Sequence, residues 1–270
     1  VFTQPNSTDY CGLNEGKQMK VVTYLINLDG SDQRLASATA QLNQAGWDFS
    51  RFSAYDGRGK ALSEFENYDD LAAQKILGRS LMNSELGCYL SHYGCAEKFL
   101  ETDADYLVVL EDDIEVLPNF KQKLESLLSY LDQHKELDWY TVNIAAKKKK
   151  LAKDIVEFDH YTLWHAYYFP IRGVGLVWSR KGAEQFVQLG KIMTVPVDIF
   201  FQSWLSKTGK GLGVWQPFVQ PAGLDSDILG TVAAQGIKRK QLENRSASHG
   251  FKKQKRMWRD RFYAIKHLMS

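Results

Sequence analysis

The sequence predicts an α/β protein, a mostly parallel sheet flanked by helices, and three observations lead there. Short apolar runs alternate with helical patterns along most of the chain, which favours a layered α/β architecture. Two of the runs, Val21–Ile26 and Tyr106–Leu110, are continuous rather than alternating, as in strands buried on both faces of a parallel sheet. Each run stops abruptly in polar residues, Asn27-Leu28-Asp29-Gly30 after the first and Glu111-Asp112-Asp113 after the second. There is no internal repeat and no convincing linker. One domain over residues 19–237 is therefore expected, followed by a basic tail over residues 238–270.

The elements follow in order. After the first strand, Ser31 or Asp32 caps a helix running to about Ala45, stopped by Gly46. Phe49–Ala54 reads as a second strand and Asp56–Gly59 as a glycine-containing loop. A helix near Glu64–Leu77 ends at Gly78, and Ser84 opens another with Leu86, Leu90, Tyr93 and Phe99 turned inward. The Tyr106 strand and its acidic end come next. Pro118 at the first helical position starts a helix to about Leu131. Trp139–Ile144 is a strand and Lys147–Lys150 a solvated loop. Tyr161–Phe169 and Gly173–Trp178 are two β-rich segments; Lys181–Leu189 is helical; Pro196 begins a helix carrying Asp198; Val214–Gln220 is the last strand.

The two ends differ from the body. Val1–Gln18 is polar and lacks both hydrophobic periodicity and the features of a signal peptide, so a poorly ordered leader is expected before Met19-Lys20. From Lys238 to Lys266 there are eleven Lys/Arg against Glu243 and Asp260, so the tail carries about +9 and the rest about −7 within a net +2. That asymmetry points to a polyanionic partner: a membrane surface, nucleic acid or a lipopolysaccharide core. The tail has no nucleic-acid-binding motif, so no specific nucleic acid is expected. Trp258, Phe262, Ile265 and Met269 recur at helical spacing among the basic residues. They fit either an interfacial helix on anionic lipid or a terminal helix docked on the body by that same stripe. The longest apolar runs fall far short of a membrane span. Cys11, Cys88 and Cys95 form neither a metal-ligand pattern nor a disulfide framework, which suits a reducing compartment. A cytoplasmic location, peripheral on the inner membrane, is the expectation.

Three adjacent carboxylates repel one another unless a cation sits among them, and a hard divalent ion bound to phosphate is the economical partner. A solvated acidic turn is the plainer alternative, but the buried strand before it argues for a ligand site at the sheet's carboxyl edge. If both strands are parallel, Asn27, Leu28, Asp29 and Arg34 open on that same edge. Amide and carboxylate groups there suit a base and ribose, and the acids suit a metal on a diphosphate. No Gly-x-Gly-x-x-Gly follows the first strand and no P-loop is present, so the phosphates need a metal or basic side chains. Ser84 and Glu85 stand at a helix start, favouring phosphate or backbone contacts. His92 lies two turns further on, where a lone histidine is more often structural than catalytic.

These segments together resemble glycosyltransferase family 25, the bacterial lipooligosaccharide galactosyltransferases related to animal collagen galactosyltransferases. The pieces are Val22–Asp29 with Arg34, Ser84–His92, Leu107–Ile114, Gly173–Ala183, Pro196–Asp198, and Gln220 before Ser226–Ile228, in the family's order over about residues 20–230. Tyr89 and Trp178-Ser179 are bulkier than the family pattern. The resemblance implies a GT-A fold, a UDP-sugar donor, typically UDP-galactose, and a metal at the acidic motif. It implies nucleotide contacts from Asn27, Asp29 and Arg34. Glu111 and Asp113 correspond to the acid pair on metal and diphosphate, with Asp112 nearby; manganese or magnesium is the expected ion.

An inverting transfer also needs a base for the acceptor hydroxyl. Asp198 is the candidate, with His92 and Asp227 as alternatives. The expected function is transfer of galactose to a saccharide of lipooligosaccharide or lipopolysaccharide. The competing readings are a metal-dependent phosphoesterase or nucleotidyltransferase using the same acids, and a non-enzymatic polyanion-binding module using the tail.

Overall fold

The computed structural model describes residues 19–223 and 245–270. Asp227, the Ser226–Ile228 segment and the leader lie outside them. The first apolar run forms β1 (Val21–Asn27), paired in parallel with β2 (Ser50–Ser53) and with β3 (Tyr106–Glu111). Further along the sheet come β5 (Thr141–Asn143), β6 (Ala152–Phe158), β7 (Tyr161–Ala166), β8 (Gly175–Ser179) and β9 (Gly211–Trp215). The spatial order is β2-β1-β3-β8-β5-β9-β7-β6. β8 and β7 run against the other strands, so the sheet is mixed but mostly of one direction.

Alternation of side chains within β1 and β3 builds two cores. Tyr24, Ile26, Leu107 and Val109 face one layer, with α2 (Asp70–Leu77), α3 (Asn83–Leu100), α5 (Arg180–Leu189) and α6 (Val197–Thr208). Leu25, Val108 and Leu110 face the other, with α1 (Asp32–Gln44) and α4 (Phe120–Gln133). The expected α/β sandwich with a mostly parallel sheet is the observed one. The bulky Tyr89 and Trp178 are accommodated together: both pack on Phe186, and the Tyr89 hydroxyl donates to Gly190 O at 2.9 Å.

Several boundaries depart from expectation. The helix expected from Glu64 begins at Asp70, because Asp69 caps it by accepting from Ala72 N at 2.9 Å; only a short 3₁₀ turn occupies Leu62–Glu64. Gly78 does end it, in the left-handed conformation at φ +77°. Pro118 precedes α4 by two residues, with Asn119 left-handed at φ 62° between them. Two strands were not anticipated. β6 forms the sheet edge, and β4 (Ile114–Val116) pairs antiparallel with β10 (Val219–Pro221). The single strand expected over Val214–Gln220 is therefore the end of β9 plus β10. Ala222 N donates to Asp113 O at 2.7 Å, which ties this ribbon to the acidic turn.

The tail forms α7 (His249–Met269), laid against α2 and α6. Asp260 and Ala264 are fully buried, and Asp260 accepts from Ser203 Oγ at 2.7 Å. His249 bonds Leu77 O at 2.6 Å and His267 bonds Lys207 O at 3.0 Å. Trp258, Phe262, Ile265 and Met269 are 44–82% exposed. Docking by the apolar stripe is thus corrected: the helix docks by its opposite face. No helix among the described residues is long and apolar enough to cross a membrane.

Candidate active site

Parallel pairing of β1 and β3 in register Ile26↔Glu111 brings both polar strand ends to one sheet edge. Asn27 is 2% exposed and donates to Asp112 Oδ2 at 2.6 Å and to Ser31 O at 3.2 Å. Arg34, one turn into α1, reaches Asp112 Oδ1 at 2.6 Å and Asp113 Oδ2 at 3.5 Å. Asp112 is therefore a buried carboxylate fixed from both strand ends. Arg51 on β2, which sequence reading missed, donates to Asn27 Oδ1 at 2.8 Å and also bonds Asp29. These bonds, that to Arg51 foremost, hold the exposed Asp29 carboxyl below its ordinary pKa. Leu28 stands half-buried between Asn27 and Asp29.

Asp113 differs from its neighbours. Burial pushes its pKa up to about 6, with the charge of Glu111 adding to the effect and Arg34 opposing it. Its Oδ1 is buried and makes no hydrogen bond. A buried carboxylate oxygen in that state is a ready ligand for a hard cation. Among the described residues, the three-residue group with metal-binding spacing is Cys88, His92 and Glu111, whose ligand atoms lie within 4.8 Å of one another. Burial and the surrounding acids push the Cys88 thiol well above its ordinary range, and a thiol is a soft ligand that suits a hard, oxygen-seeking cation poorly. Oxygen ligands from Glu111 and Asp113 fit a manganese- or magnesium-type ion better.

His92 and Asp198 stand together beside Gly173. His92 Nε2 lies 3.0 Å from Glu111 Oε1, and its buried Nδ1 has no hydrogen-bond partner. Asp198, in the first turn of α6, keeps some exposed surface, yet burial and then Glu111 push its pKa up to about 8, while a hydrogen bond from Gly173 N opposes the shift. A Cβ on Gly173 would stand 2.9 Å from Asp198 Oδ1 and 3.5 Å from His92 Nε2, so only glycine leaves these groups room. Glu85 is placed differently from the rest. Arg79 takes its oxygens at 2.6 and 2.7 Å, and it accepts from Met82 N at 3.0 Å, so it closes the start of α3.

A family model described as glycosyltransferase family 25 (LPS biosynthesis protein) matches residues 20–201, a span holding all of these side chains. The chain belongs to glycosyltransferase family 25. Procollagen galactosyltransferase 2 of Homo sapiens is 27% identical over 223 residues, covering 77% of this family 25 chain and 33% of that protein. Procollagen galactosyltransferase 1 of Danio rerio is 26% identical over 221 residues, covering 75% and 33%. A Bos taurus protein named probable inactive glycosyltransferase 25 family member 3 is 37% identical over 131 residues, covering 45% and 22%. The chain thus spans about a third or less of the length of these curated relatives. Among solved structures, a glycosyltransferase involved in glycosylation of the major capsid of PBCV-1 superposes with a TM-score of 0.41 at 9% identity, over 81% of this chain and 100% of that one. The galactosyltransferase LgtC, in complex with donor and acceptor sugar analogs, gives 0.33 at 15% identity, over 67% and 69%.

Proposed function

We propose that this chain is an inverting glycosyltransferase that moves galactose from UDP-galactose to a saccharide of lipooligosaccharide or lipopolysaccharide type. The observation that carries the reading is a run of polar groups from the sheet edge to α6. Asn27 and Arg34 both hold Asp112 at 2.6 Å, Glu111 at the same strand end meets His92 at 3.0 Å, and beside His92, across Gly173, lies Asp198, a carboxyl with pKa raised to about 8. Family membership and the galactosyltransferase names of the relatives support the donor choice, and the family's description supports the acceptor class.

In this reading Asn27, Leu28 and Asp29 face the nucleotide, and Arg34 neutralises the acids next to the diphosphate. Glu111 and Asp113 would hold a divalent cation, manganese or magnesium, which supplies Lewis-acid stabilisation of the departing diphosphate. Asp198 removes the proton from the acceptor hydroxyl as that oxygen bonds the anomeric carbon. The anomeric C–O bond breaks on the opposite face, and its electron pair leaves with UDP. A base whose pKa lies near the working pH suits this transfer. His92 orients Glu111, and Glu85 acts only through Arg79.

Asp198→Asn should lower transfer by roughly 10²–10⁴-fold while calorimetry shows UDP-galactose still bound; near-wild-type turnover would remove Asp198 from the base role. Asp113→Ala should lose transfer and manganese-dependent UDP binding together, and retained metal-dependent binding contradicts the ligand assignment. Hydrolysis of UDP-galactose without any transfer when a saccharide is added would favour the phosphoesterase reading instead. For location, we infer a reducing, cytoplasmic setting from the free thiols of Cys88 and Cys95. The exposed Trp258–Met269 stripe would rest on anionic membrane lipid.

A further inference from the structure

We propose that a cationic subsite beside Asp198, walled by the inward face of α7, receives a phosphate group carried by the saccharide acceptor. The proposal rests on the transferase reading of the adjoining cleft and names its acceptor class.

A cavity of about 490 Å³ is bounded by Glu85 and Cys88 of α3, Asp198 of α6, and Arg245, Lys253 and Arg256 at and before α7. Its size lies within the usual range of small-molecule sites, about 300–1,000 Å³. His249, Lys253, Arg256 and Asp260 follow at spacings of three and four residues; Arg256 and Asp260 turn toward the body, and Lys253 stands at the exposed rim of the same row. A guanidinium turned inward from a docked helix, as Arg256 is, is unusual without a counter-charge.

Among the described residues, the carboxylates nearest Arg256 are already bonded elsewhere. Both oxygens of Glu85 are bonded by Arg79, and those of Asp260 by Ser203 and Arg259. Asp198 already accepts a hydrogen bond from Gly173 N. Arg256 Nε is buried and makes no hydrogen bond, and burial holds the Arg256 guanidinium below its ordinary pKa. A guanidinium and an ammonium converging on one cavity match a dianionic phosphate ester. The cavity touches Asp198 but none of Asn27, Arg34, Asp112 or Asp113, which places the phosphate on the acceptor side of the base rather than in the donor cleft.

The test titrates glucose 6-phosphate, glucuronate and glucose into the full chain by calorimetry, with and without UDP and manganese. The wild-type chain should bind glucose 6-phosphate roughly tenfold or more tightly than glucose. Lys253→Gln/Arg256→Gln should erase that preference while leaving UDP affinity unchanged. Lys253→Glu alone, at an exposed position, should weaken glucose 6-phosphate binding without endangering the fold. Equal binding of glucose and glucose 6-phosphate overturns the subsite, as does a preference that survives both variants. Displacement of glucose 6-phosphate by UDP would place it in the nucleotide cleft, and glucuronate binding as tightly would remove the phosphate assignment. Failure of UDP itself to bind the wild-type chain sinks the transferase reading, an outcome separate from all of these.

Discussion

At the scale of single residues, Asp198, the proposed base, shows how surroundings set a pKa. Burial and the charge of Glu111 outweigh the bond from Gly173 N, and the carboxyl titrates near 8 instead of 3.8. An acid with its folded pKa raised binds more protons folded than unfolded between those values. Stability of the unliganded protein is therefore highest below the unfolded pKa and falls as pH rises toward 8, by up to about 1.4 kcal/mol per pH unit. Urea denaturation between pH 5 and 8 should show that slope, and Asp198→Asn should flatten it. Gly173→Ala places a methyl 2.9 Å from Asp198 Oδ1. With Asp198 as the proposed base, it should lower turnover by about tenfold or more, since small misplacements of a reacting group are costly, and leave UDP affinity unchanged. Asn27, Asp112 and Asp198 were legible because polar residues at strand ends and in ordered motifs stand out. Arg51 and Gly173 were not. Arg51 matters through the register that sets it beside Leu25, and Gly173 through the space it leaves empty; neither is written in residue type.

At the scale of elements, the readable ones bury one whole side. β1 and β3 are apolar on both faces and were visible as runs; β6 mixes half-buried and exposed residues without regular alternation along an edge, and β4 and β10 are three residues each. Short or half-solvated strands carry too little hydrophobic signal to separate from loop. The last helix was visible as an amphipathic pattern, and of the two readings of its apolar stripe, lipid-facing or docked on the body, the docked one fails because the stripe is exposed. The docked face holds a small Ala264 and a buried Asp260, which no hydrophobicity pattern marks. Asp260→Ala should cost about 2 kcal/mol, the usual loss when a charged hydrogen-bonding group is removed. Hydrogen exchange should then show residues 249–269 losing protection before the sheet does; uniform protection would mean the helix is held by other contacts.

At the scale of the whole molecule, alternating helices and strands with doubly buried runs were enough for the α/β class. The reversed directions of β7 and β8 were not legible, since a buried strand reads alike either way. The outward face of α7 gives the chain a large apolar stripe beside Lys255, Arg259 and Lys266. Trp258→Ser/Phe262→Ser should weaken binding to phosphatidylserine vesicles by about tenfold or more, given the free energy of burying aromatic surface. Transfer to a water-soluble acceptor should be unchanged, and equal vesicle binding by the double variant would dismiss the membrane surface as partner. The two faces of α7 look in opposite directions, yet they belong to one rigid rod. If a partner on the outside and a ligand in the hollow beneath both bind only the seated rod, each raises the affinity for the other by an equal factor. Location and grip would be one equilibrium, read from either side.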